Sequence, residues 1–193
     1  MSYFEAMTSA VDQESYRVLV VDDYPAIHED FKKVLERRDD PREIIRQFQD
    51  DILGESNQAG SQVAFRIDSA FQGEEGLELI RQSYRDQDPI MLAFIDVRMP
   101  PGMDGIETSS KIQKEFPETQ IVICTAFNDF PWPKIAKQMH RADNFVILKK
   151  PFENIEILQL AHALCAKWRL AKKLRERVSA LEAELAQLKD AKS

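Results

Sequence analysis

Little in this chain would staple it from outside or hold a metal through soft ligands. It has two cysteines in 193 residues. Cys124 sits in an apolar run and Cys165 in a helical stretch, so a disulfide framework is not expected. The three histidines, His28, His140 and His162, share no metal-ligand spacing with one another or with cysteine, and surface or packing roles are expected for all three. No apolar segment is long enough to cross a membrane, and the opening Met1-Ser2-Tyr3-Phe4-Glu5 lacks a signal-peptide pattern. A cytoplasmic protein with no membrane partner is expected, residues 1–15 forming a loosely ordered leader. Positive charge is also scarce outside one end. Residues 166–193 hold eight Lys or Arg against four Asp or Glu, a balance of +4 in a chain of net charge −7, which leaves −11 on the rest. So acidic a body argues against nucleic acid as the main partner, and the basic stretch Lys167 to Arg177 reads as a solvated helix face.

Five short apolar runs are present, bounded by polar or turn residues: Tyr16 to Val21, Ala64 to Ser69, Ile90 to Ile95, Gln120 to Thr125 and Phe145 to Leu148. They read as strands. Between them lie stretches with helical spacing, such as Leu77, Ile80 and Tyr84, or Ile106, Ser109, Ile112 and Phe116. Strand and helix alternate, which predicts an α/β fold with an open parallel sheet and helices on both faces. Ligands in such sheets bind beyond the carboxyl ends of the strands. Four of the run ends carry polar groups: Asp22-Asp23, Asp96, Thr125 and Lys150.

Acidic residues, a hydroxyl and an amine at converging loops suit phosphoryl chemistry. Three nearby carboxylates repel one another, and a hard divalent ion such as Mg²⁺ relieves that repulsion through oxygen ligands while keeping several waters. Asp96 is then the expected nucleophile, with Lys150 neutralising the phosphoryl group and the Thr125 hydroxyl donating to it.

These residues also carry a family resemblance. Val20-Val21-Asp22-Asp23, Asp96-Val97-Arg98-Met99-Pro100 with Met103-Asp104-Gly105, Thr125-Ala126 and Lys150-Pro151-Phe152 together resemble the receiver domain of bacterial response regulators, over roughly residues 16–165. The resemblance implies a flavodoxin-like, doubly wound five-stranded sheet of order 2-1-3-4-5. It implies phosphorylation of Asp96 by a sensor histidine kinase or phosphotransfer protein in a two-component phosphorelay. It further implies Mg²⁺ held by Asp22, Asp23, Asp96 and the backbone carbonyl of Arg98, with Lys150 pairing with the phosphoryl group. Self-phosphorylation and dephosphorylation are expected, but no classical enzyme activity. An aspartyl-phosphate phosphatase is the competing chemistry, yet its Asp-x-Asp motif is absent from the first strand.

Three features depart from the plain pattern. Asp23 and Asp96 lie 73 positions apart, where two helices, the strands and short loops need roughly 45–50. An insertion over about 39–62 is expected, with Ile44, Ile45, Phe48 and Ile52 on one face of an extra helix and a loop at Gly54 to Gly60. Ile147 stands where many receivers carry an aromatic, and the doubled Pro100-Pro101 lengthens the loop after Asp96. Arg98 and Phe127 occupy positions that resemble those controlling water access to the acyl phosphate.

Past Pro151-Phe152 neither glycine nor proline interrupts residues 153–193, so one long helix is expected. Ala171, Leu174, Val178, Leu181, Leu185 and Leu188 follow a 3-4 rhythm, the seam of a coiled coil over 166–193. A parallel homodimer through 171–188 is expected, with the receiver bodies or upstream Leu160 and Leu164 contributing. No DNA-binding or catalytic output domain is recognisable after the seam. The expected output is protein contacts; a phosphorylation-independent scaffold, or an input module of a longer signalling enzyme, are the alternatives.

Overall fold

The computed structural model describes residues 15–36, 64–126, 138–139 and 142–190. The expected insertion, Phe127, His140 and residues 1–14 of the leader lie outside them. Five strands form one parallel sheet: β1 (Tyr16–Val21), β2 (Phe65–Ala70), β3 (Leu92–Asp96), β4 (Gln120–Ala126) and β5 (Phe145–Lys150). Their order is β2-β1-β3-β4-β5. Four helices are described: α1 (Pro25–Leu35), α2 (Gly73–Arg85), α3 (Gly105–Glu115) and α4 (Asn154–Asp190). The expected fold class is therefore the observed one, with every strand end within two residues of its predicted bound.

Alternation along each strand builds two cores. Leu19 and Val21, Ala93 and Ile95, and Ile121 and Ile123 face one side, where Leu77 and Ile80 of α2 and Ile106 and Ile112 of α3 cover them. Val18 and Val20, Leu92 and Phe94, and Val122 and Cys124 face the other, under Phe31 and Leu35 of α1 and Ile157, Ala161 and Cys165 of α4. A strand buried on both faces must be apolar throughout, which is why β3 and β4 read as continuous hydrophobic runs. Each fully buried large side chain contributes roughly 1.5–3 kcal/mol. Phe31 packs on Phe94 at 4.8 Å and edge-on to Phe152 at 5.8 Å, tying α1 and the exit of β5 to the sheet.

Helix starts are set locally. Pro25 opens α1, where its missing N–H costs nothing. Asp104 caps α3 by accepting from the Glu107 N–H at 2.8 Å. At the β2 edge, Arg17 forks onto Asp68 at 2.7 and 3.1 Å and donates to the Asp88 carbonyl, which fixes β1 against β2 and the start of β3.

The first half of α4 lies on the body, with Ile157, Leu158, Ala161, Cys165 and Trp168 buried. Much of the basic stretch is engaged internally: Lys167 donates to the Asp143 carbonyl, Arg169 lies over Tyr16 at 5.3 Å, and Arg175 pairs with Glu118 at 2.6 Å. Leu160 and Leu164 lie partly buried against the second core. His28 is buried in packing as expected, and His162 meets Phe65 and Tyr16 edge-on.

Candidate functional site

The carboxyl ends of β1, β3, β4 and β5 bring Asp22, Asp96, Thr125 and Lys150 to one end of the sheet. Lys150 Nζ lies 2.7 Å from Asp22 Oδ2 and 2.6 Å from Asp96 Oδ1, an ammonium shared by two carboxylates. The chain spans 128 residues between the first pair, so the register of the sheet, not local sequence, makes this contact. The other carboxylate oxygens are held by the backbone. Tyr24 N–H donates to Asp22 Oδ1 at 2.9 Å, and Arg98 N–H donates to Asp96 Oδ2 at 2.6 Å. Thr125 is buried on β4, its hydroxyl donating to the Ala126 carbonyl at 3.2 Å. Asp23 is exposed beside the buried Asp22.

Charge at the site is out of balance. Burial pushes the Asp96 carboxyl above its ordinary value, a rise that the hydrogen bond and charge of Lys150 oppose but do not cancel. Burial also works against the Lys150 ammonium, but its hydrogen bonds to Asp22 and Asp96 outweigh burial and raise its pKa. One ammonium between two carboxylates thus remains charged and leaves a net negative site. Beneath it, burial pushes the Cys124 thiol up to about 12, which keeps it protonated and inert.

Among the described residues no three His, Cys, Asp or Glu side chains are gathered as a metal site. The residues nonetheless fit Mg²⁺, which takes one or two carboxylates and completes its octahedron with water or carbonyl oxygens. Asp22 and Asp96 supply two such carboxylates side by side on Lys150, and the negative charge that one ammonium leaves unbalanced favours a cation.

Some supporting residues escaped the sequence reading. His28 Nε2 lies 2.7 Å from the Asp22 carbonyl, so the ring donates there and fixes the turn that carries the acidic pair. Glu74, on the first turn of α2, accepts from Met103 N–H at 3.0 Å and braces the loop after Asp96. Neither has a signal in single-residue spacing. Gly105 does, within Met103-Asp104-Gly105: a Cβ there would fall 1.9 Å from the Asp96 carbonyl oxygen, so only glycine lets α3 start this close to β3.

The profile described as the response regulator receiver domain matches residues 49–162, more than half of the chain. The chain belongs to the response regulator receiver domain family. As a receiver, it is a phosphorylation-dependent signalling domain of the two-component type rather than a classical enzyme. The profile match starts between α1 and β2, so the place of Asp22 and Asp23 in this receiver rests on the sheet itself. The oxygen regulatory protein NreC of Staphylococcus carnosus is 27% identical over 113 residues, 58% of this chain and 39% of the relative. The chain thus spans about two fifths of that curated relative. A CheY-like response regulator receiver domain protein from Methanospirillum hungatei superposes with a TM-score of 0.57 at 18% identity, over 82% of this chain and 99% of that one. A structure titled adenylate cyclase from Rhodopirellula baltica gives 0.59 at 23% identity, over 86% and 98%. Likenesses this distant in sequence show the fold alone. No described helix of the receiver is long and apolar enough to cross a membrane.

Proposed function

We propose that Asp96 is the phosphoacceptor of this receiver, and that Asp22, Lys150 and Thr125 serve the transfer. The observation that carries the reading is the pair of contacts from Lys150 to Asp22 and Asp96, which sets an amine against a half-buried carboxylate at the end of β3. An Asp96 carboxylate oxygen forms a new P–O bond as the P–N bond of a phosphohistidine, or the P–O bond of a small phosphodonor, breaks. The electron pair of the broken bond leaves with the donor. Lys150 then turns from Asp96 Oδ1 to a phosphoryl oxygen, and the Thr125 hydroxyl turns from the Ala126 carbonyl to another. Arg98 N–H keeps hold of the acceptor carboxylate throughout. Asp22, Asp23, Asp96 and the Arg98 carbonyl would hold Mg²⁺, which would supply positive charge for the transferring group.

The donor in this reading is a sensor histidine kinase or phosphotransfer protein, the setting is the cytoplasm, and the output is protein contact. Residues 16–165 are the receiver, with the insertion at 39–62, and 166–193 are a coiled-coil extension through which the protein is a homodimer. Intact-mass analysis tests the chemistry. With Mg²⁺ and a small phosphodonor the protein gains one phosphoryl group, and Asp96→Asn gains none. Equal labelling of Asp96→Asn moves the acceptor elsewhere.

A further inference from the structure

The distal part of α4 carries a row of large apolar side chains that no described part of the molecule covers. Leu170, Leu174, Val178, Leu181, Leu185 and Leu188 are 41–61% exposed. An α-helix turns by 100° per residue, and on that wheel the row centres roughly 150° away from the face that Ala161, Cys165 and Trp168 bury against the body. The two faces are separate. A partner can therefore take the row without displacing the body, and the helix has no need to fold back.

We propose that the row takes a second copy of this chain in parallel, leaving the two receiver bodies on the outside of the helix pair. Ala171, Val178 and Leu185 occupy the a positions and Leu174, Leu181 and Leu188 the d positions; β-branched Val at a with Leu at d suits a two-stranded parallel coil. Each g residue then faces the partner's e residue five positions on, which matches Arg177 with Glu182 and Glu184 with Lys189.

The structure separates this arrangement from the antiparallel one. Overlapping the same six apolar positions head to tail still brings Arg177 to Glu184. It sets Glu182 opposite Arg175, however, which Glu118 of its own body already holds at 2.6 Å. Lys189 then has no acidic neighbour. Parallel pairing matches Arg177, Glu182, Glu184 and Lys189 and leaves at the flanks Arg175, which faces Leu170 and already has Glu118; antiparallel pairing leaves Lys189 unmatched and makes Glu182 share Arg175 with Glu118. The internal ties of Lys167 and Arg169, with those of Lys172 to Glu176 and Arg175 to Glu118, also blunt repulsion between two basic stretches lying side by side. The inference rests on the homodimer of the proposed function and fixes its orientation; it does not rest on phosphoryl chemistry, so either can fail alone.

The test uses the full chain without phosphodonor. Light scattering at tens of micromolar gives a dimer, and Leu181→Asp, at an exposed position outside both described cores, gives a monomer with unchanged near-ultraviolet dichroism. Glu184→Lys weakens the dimer, and adding Lys189→Glu restores it, a rescue that antiparallel pairing does not allow. Cys124 and Cys165 are both buried, so a spin label on Gln187→Cys is selective. The parallel pair holds the two labels side by side, whereas the antiparallel one sets them roughly 20 Å apart along the axis at 1.5 Å per residue. A monomeric unmodified chain, a separated label pair or a failed rescue overturns the proposal.

Discussion

Lys150 Nζ lies within 2.7 Å of Asp22 Oδ2 and within 2.6 Å of Asp96 Oδ1, so β5 closes the site by placing one amine between the ends of β1 and β3. The ammonium stands where a cation is needed and offsets part of what the two carboxylates cost. It can leave one of them only when another positive charge, or a phosphoryl group, takes over.

Replacing that amine exposes the imbalance. Lys150→Ala leaves two desolvated carboxylates without their shared donor and is expected to lower stability by about 1–3 kcal/mol at neutral pH. Lys150 is itself a quarter exposed, so solvent screening holds the loss toward the lower end. Because Mg²⁺ replaces the missing charge, adding it raises the melting temperature of Lys150→Ala more than that of the unmodified protein. Equal shifts in thermal melts of the two would contradict a cation site at Asp22 and Asp96.

His162 gives the pH dependence of the body a direction. Burial lowers its pKa, and its Nε2 has no hydrogen-bond partner among the described residues. The unfolded chain therefore binds this proton more readily than the folded one. The stability contribution is complete above the unfolded value near 6.5 and is lost as pH falls through the folded value. Denaturant titrations at pH 7.5 and 5.5 are expected to show a smaller acid loss for His162→Phe than for the unmodified protein. An identical loss in both would place the acid sensitivity elsewhere.

The fold was legible because its signals are local and repeated: apolar runs of strand length, helical spacing between them, and turn residues at the joins. The site was legible for a different reason. In a parallel sheet every strand ends on the same side, so Asp22, Asp96, Thr125 and Lys150 could be placed together once their strands were found. The supporting contacts were not, since the reach of His28 to a backbone carbonyl or of Glu74 to Met103 N–H depends on how α1 and α2 sit on the sheet. The partial burial of Leu160 and Leu164 against the second core was not legible either, since their spacing reads only as an upstream continuation of the seam.

Chemical trapping of the acyl phosphate tests the central claim most directly. An aspartyl phosphate is a mixed anhydride, and borohydride reduces its carbonyl to an alcohol with release of inorganic phosphate, converting the labelled aspartate to homoserine. After incubation with Mg²⁺ and a phosphodonor, reduction and peptide mapping should find homoserine at position 96, dependent on the donor. Homoserine at another aspartate, or an acid-stable phosphate on a hydroxyl side chain with Asp96 unchanged, would contradict the account.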